Sequence, residues 1–111
     1  MEKIVTFEDF SKVDLRIGTI MEVQDFPEAR NPSYQLTIDF GSLGTKKSSA
    51  QITTLYKKEE LLNRQIVAVV NFPKKQIGKF MSECLVVGAV DGKDVILLQP
   101  DNEIKNGTPI S

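Results

Sequence analysis

The sequence has no histidine, no tryptophan and a single cysteine, Cys84, in 111 residues. Without histidine, the commonest general base and the commonest metal ligand are both missing. No CxxC pair or carboxylate–glycine loop replaces it, so zinc and EF-hand-type calcium sites lack ligands at workable spacing. A lone cysteine cannot form an internal disulfide, which points to a reducing, cytoplasmic setting. The longest apolar runs are five to seven residues, far short of the roughly 20 that a membrane helix needs. The opening MEKIVTFEDF is acidic and lacks an apolar stretch, so no signal peptide is expected. Lysines, carboxylates and Cys84 remain as possible catalytic groups, but no two of them form a convincing pair. The expectation is a protein that is not an enzyme and needs no cofactor.

What is present suits one globular domain. Hydrophobic residues make up 41% and charged residues 26%, a balance that excludes a disordered chain, and the length suffices for one core but not two. The net charge of −1 conceals a pattern: residues 1–26 carry −3, residues 27–82 carry +5 and residues 83–111 carry −3. A basic middle between acidic ends presents one positive surface on an otherwise non-sticky molecule.

Thr6-Phe7-Glu8-Asp9 reads as a capping box, and Ile4, Phe7, Phe10 and Val13 follow at helical spacing. Leu15, Ile17, Thr19, Met21 and Val23 then alternate with polar residues as a long strand, with Gly18 expected at a bend or bulge. Residues 28–33, EARNPS, carry turn chemistry. Tyr34, Leu36, Ile38 and Phe40 alternate with Gln35, Thr37 and Asp39, a strand with one inward face. A third strand is expected over residues 47–53, with Ala50 and Ile52 inward, and a short helix over 57–63. Residues 66–71 and 84–90 read as fully buried strands. Residues 74–83, KKQIGKFMSE, read as a loop between them. Asp91-Gly92 makes a turn, and residues 95–99 return as a sixth strand or an extension of the fifth. Strands in this order, with a helix between the third and fourth, indicate an all-β, small closed OB-fold barrel; an SH3-like barrel is the alternative.

Five stretches carry a resemblance in the same order: DLRIGTI at 14–20, EARNPSYQLTIDFG at 28–41, SSAQIT at 48–53, VVNFPKKQIGKFMSECLVVGA at 69–89 and LLQP at 97–100. They resemble the tRNA-binding domain family, OB-folds that occur alone or appended to some aminoacyl-tRNA synthetases. Synthetase-appended members usually carry a Val-Ser-Gly-Ile-like run where this chain has Ser49-Ala50-Gln51-Ile52. They usually have Ser-Glu followed by Gly-Met where this chain has Ser82-Glu83-Cys84-Leu85. These departures favour the free-standing, export-related chaperone branch. The resemblance implies a cytoplasmic homodimer, affinity for unfolded or pre-secretory polypeptides and for the export ATPase SecA, and tRNA binding as an inherited property.

Placed on an OB barrel, the polar candidates gather around one cleft. Arg30, Asn31, Lys46, Lys47, Lys74, Lys75 and Lys79 would meet phosphates, with Ser48, Ser49 and Ser82 supplying neutral hydrogen bonds. With so few aromatics, and Tyr34 and Phe40 on the inward stripe, recognition of RNA by shape and backbone fits better than base stacking. Phe26, Phe72, Phe80 and Met81 lie at strand ends or in loops, where they either close the barrel ends or form an apolar patch for polypeptide. Ile4, Phe7, Phe10, Ile104 and Ile110 exceed what a small barrel needs, and either cover its base or bury themselves in a two-fold contact. Cys84 reads as a small buried hydrophobe, and Glu83 as a carboxylate that fixes its loop through backbone N–H groups.

Overall fold

A computed structural model describes residues 3–111 of the chain. A short helix, α1 (Phe7–Ser11), precedes the long strand β1 (Leu15–Asp25), followed by β2 (Tyr34–Asp39) and β3 (Thr45–Ala50). Helix α2 (Lys58–Leu61) leads to β4 (Gln65–Val69), then a hairpin of β5 (Lys75–Ile77) and β6 (Phe80–Ser82). The short β7 (Leu85–Val86) is followed by a second hairpin, β8 (Gly88–Asp91) and β9 (Asp94–Leu97). Five strands form one antiparallel sheet in the order β3-β2-β1-β4-β7, the curled order of an OB-fold. The fold expectation is borne out.

β1 organises the sheet. Its first half pairs with β4, Leu15 opposite Val69 through Thr19 opposite Gln65. Its second half pairs with β2, Thr19 opposite Asp39 through Asp25 opposite Tyr34. Met21 is the extra residue between the paired Ile20 and Glu22, a bulge that sharpens the bend. The bend expected at Gly18 is therefore displaced. Gly18 answers a different constraint: a Cβ there would lie 2.6 Å from Ile38 Cγ2 and 2.7 Å from Phe40 Cε1. Phe40 is wholly buried, in a core cluster with Ile20, Leu36, Ile38, Leu61 and Ile66. The inward stripe of β2 thus becomes the core, and β1 must go without a side chain where the Phe40 ring crosses it.

Three further expectations change. Residues 74–83 are not a plain loop, because Lys75, Gln76 and Ile77 pair with Ser82, Met81 and Phe80 around Gly78 at φ +60°, a conformation glycine adopts without strain. Residues 84–90 are not one buried strand, since β8 leaves the barrel to pair with β9. The chain end packs on its own barrel. Gly107 N–H donates to Ile17 C=O at 2.7 Å, Ile17 N–H to Thr108 C=O at 3.0 Å, and Ile110 N–H to Leu15 C=O at 2.9 Å. The tail thereby takes the edge of β1 that β2 leaves uncovered. No helix among the described residues is long and apolar enough to cross a membrane.

Replacing Gly18 by alanine forces Phe40 or Ile38 off its rotamer and is expected to destabilise the fold by about 1–3 kcal/mol. A lower urea midpoint at unchanged slope checks this; an unchanged midpoint would show that the ring yields freely.

Candidate nucleic-acid and polypeptide surfaces

Between the two edge strands, β3 and β7, residues 82 and 83 bond to β3 in place of a ladder. Glu83 N–H donates to Lys47 C=O at 2.7 Å, and Lys47 N–H donates back to Glu83 Oε1 at 3.0 Å. Ser49 N–H donates to Ser82 Oγ at 3.2 Å. Glu83 thus holds its loop through a backbone N–H, as its position suggested. Its second oxygen lies 3.6 Å from Lys74 Nζ, so part of the local positive charge is already balanced.

This seam sorts the cations expected to act together. Alternation along β3 turns Lys47 and Ser49 outward and Lys46, Ser48 and Ala50 toward the barrel. Lys47 and Ser49 join Ser82, Lys74 and Lys75 through the seam bonds and the β5–β6 pairing, and Lys79 stands exposed at the hairpin tip. Lys46 is on the opposite face, close enough to Cys84 for its charge to act on the thiol. Ser48 is a correction: it is wholly buried, and its hydroxyl donates to Ser49 C=O at 3.3 Å. It is out of reach of any phosphate. Arg30 and Asn31 are exposed in the loop before β2.

Phe26 is the second correction. It is buried, with its ring 5.2 Å from that of Phe80 at an interplanar angle of 58°, an edge-tilted pair of the favourable kind. The pair fastens the loop carrying Arg30 and Asn31 beside the β5–β6 hairpin and leaves Phe80 only half-buried. Of the expected apolar set, Phe72 (48% exposed) and Met81 (39%) face solvent.

Sequence reasoning missed a groove between the edge strands. A groove of about 680 Å³ runs along the seam beyond the Glu83 clasp, lined by Asn31, Ser49, Gln51, Ile52, Leu85, Val86, Val90, Lys93 and Val95, among others. Leu85 and Val90 are exposed by 49% and 72%. The signal was the Asp91-Gly92 turn, which demanded a hairpin and so had to pull Val90 away from the barrel. Gly88 was a second clue, since a Cβ there would meet Val95 Cγ1 at 2.7 Å. The hairpin is tethered: Leu97 N–H donates to Tyr56 Oη at 3.0 Å, and Tyr34 O–H donates to Tyr56 C=O at 2.8 Å.

At the other end, the capping box forms as read, with Asp9 N–H donating to Thr6 Oγ1 and Thr6 N–H to Asp9 Oδ2. α1 nevertheless buries none of its residues. Ile4 and Phe7 are 92% and 78% exposed, Phe10 and Ile104 are exposed, and Ile110 is half-buried. A hollow of about 460 Å³ separates Phe7 and Phe10 from Pro109 and Ile110.

The family model described as "Putative tRNA binding domain" matches residues 15–109, and the chain belongs to that family. The structure is similar to that of the chaperone CsaA from Bacillus anthracis: 55% identity and a TM-score of 0.94, covering 98% of this chain and 100% of that one. The CsaA chaperone protein from Picrophilus torridus gives 54% and 0.91, covering 97% and 100%. The methionine–tRNA ligase of Pyrococcus furiosus is 43% identical over 106 residues, covering 96% of this chain but 14% of that enzyme. The expected resemblance, down to its chaperone branch, is borne out.

Cys84 lies under the seam, its S–H 3.8 Å from Lys47 C=O, and burial pushes its thiol up to about 12. Because the folded value lies above the ordinary 9.0, the thiol's contribution to stability is complete below that pH and fades as pH rises toward about 12. Native Cys84 is therefore expected to react slowly with Ellman's reagent at pH 8. Glu83→Ala, which removes the carboxylate half of the clasp and leaves the main-chain bond to Lys47 C=O, should accelerate labelling and destabilise the fold by about 1–3 kcal/mol. Equal labelling rates in both proteins would show that the clasp does not cover the thiol.

Proposed function

We propose that this chain is a non-catalytic, CsaA-like holding protein that binds unfolded or pre-secretory polypeptides in the cytoplasm as a homodimer. The carrying observation is the apolar surface left exposed around a preformed groove, Leu85 and Val90 above all. Exposed apolar patches of this kind mark partner surfaces. Phe72 and Met81 extend the exposed apolar surface, and a methionine adapts to varied side chains. Two relatives of more than half-identical sequence, each matched over its whole chain, are chaperones by name, and SecA is the partner that this reading adds. The uncovered faces of α1 and Ile104 supply the two-fold contact.

A second reading, tRNA binding, is favoured by family membership and by the gathering of Lys47, Lys74 and Lys75 at the seam. It puts RNA on the outer face of β3 and the β5–β6 hairpin, beside the groove.

Salt separates the two. With about four phosphates neutralised, tRNA affinity should fall on the order of a hundredfold between 50 and 200 mM salt, whereas suppression of aggregation of a heat-denatured client should persist. Lys74→Glu with Lys75→Glu should abolish tRNA binding alone, and Phe72→Ser with Met81→Ser should weaken client holding alone. Failure to suppress aggregation at any salt would overturn the chaperone reading. Phe7→Asp with Phe10→Asp should convert the dimer to a monomer in sedimentation equilibrium; an unchanged mass would remove α1 from the contact.

A further inference from the structure

We infer that the seam groove takes a polypeptide as an added β-strand, paired to the free main-chain edge that continues β3 at Gln51. This rests on the polypeptide-holding reading and specifies its mode.

Each wall of the groove carries a residue whose main-chain groups are left open, Gln51 on one side and Val86 on the other. Lys47 and Ser49 turn their main-chain groups away from β2, as their bonds to Glu83 and Ser82 show. In an antiparallel ladder this direction repeats every second residue, so Gln51 is next in line. Neither its N–H nor its C=O meets a partner among the described residues. Across the groove, Leu85 pairs with Val69, and Val87 N–H donates to Val67 C=O at 2.9 Å. Val86, between them, must point its own N–H and C=O away from β4, toward the groove. Such open edges are templates for an extended chain.

The walls supply what main-chain pairing lacks. Leu85, Val90 and Val95 offer apolar contact to alternate side chains of the added strand. The Tyr56 hydroxyl fixes the β8–β9 hairpin that forms one wall, so little ordering is needed on binding.

Charge decides the class of occupant. The groove is lined by one ammonium group, Lys93, and by no carboxylate. A nucleic-acid strand would bring a phosphate every residue to a single cation. A mostly apolar peptide with one acidic residue near Lys93 matches instead.

The test uses the whole chain and a fluorescein-labelled octapeptide of alternating valine and threonine ending in glutamate. Two further versions are N-methylated on the odd or on the even residues. An added strand turns one alternate set of N–H groups to the Gln51 edge, so at least the series methylated on that set should bind about tenfold more weakly or worse than the parent. Val90→Asp should weaken the parent peptide about tenfold at an unchanged melting temperature. Undiminished binding of both methylated series, or full binding by Val90→Asp, overturns strand addition. Displacement by a 12-nucleotide polyuridine, or self-association lost in Val90→Asp without peptide binding, also overturns it by naming another occupant. If the wild-type chain suppresses client aggregation but ignores the peptide, the groove proposal falls and holding stands. If it does neither, both fall.

Discussion

Lys47 and Glu83 exchange two hydrogen bonds across the gap between the barrel's outermost strands, and the placement of every candidate ligand surface follows from that pair. A full ladder between β3 and β7 would consume the main-chain groups of both strands and bury the walls between them. A carboxylate clasp at one end closes the core over Cys84 while leaving the far end open. The lysines then fall on one side of the clasp and the apolar groove on the other. The clasp is also an acceptor of backbone N–H, which is how a charged group can be spent on closure without an orphaned donor beneath it.

The same carboxylate restrains the positive surface. Lys74 lies beside Glu83, and Lys46 is turned to the inner face by the pleat. The +5 of residues 27–82 therefore overstates the charge available to a phosphate chain. The structure instead interleaves modest cation density with exposed apolar surface.

Much of the fold could be read directly where one physical rule dominated. The alternation Tyr34, Leu36, Ile38, Phe40 had a single explanation, and those residues are the core. The Thr6–Asp9 box was equally plain. Misreadings came where two rules give one pattern. A glycine in a strand signals either a bulge or a close approach, and Gly18 proved the second while Met21 took the first. A serine among lysines looks like a phosphate ligand, but strand parity put Ser48 inside. Phe26 looked like a loop residue until Phe80 met it from 54 positions away, a contact no local pattern records. The apolar run at 84–90 could be a buried strand or a strand leaving the barrel, and only the turn after it distinguished them. For the same reason the groove was invisible: its walls come from four separated segments.

The tail on β1 has one more effect. By filling the edge that β2 leaves bare, it denies neighbouring molecules a place to continue the sheet at that end. An edge covered in this way cannot template edge-to-edge extension of the sheet by another chain.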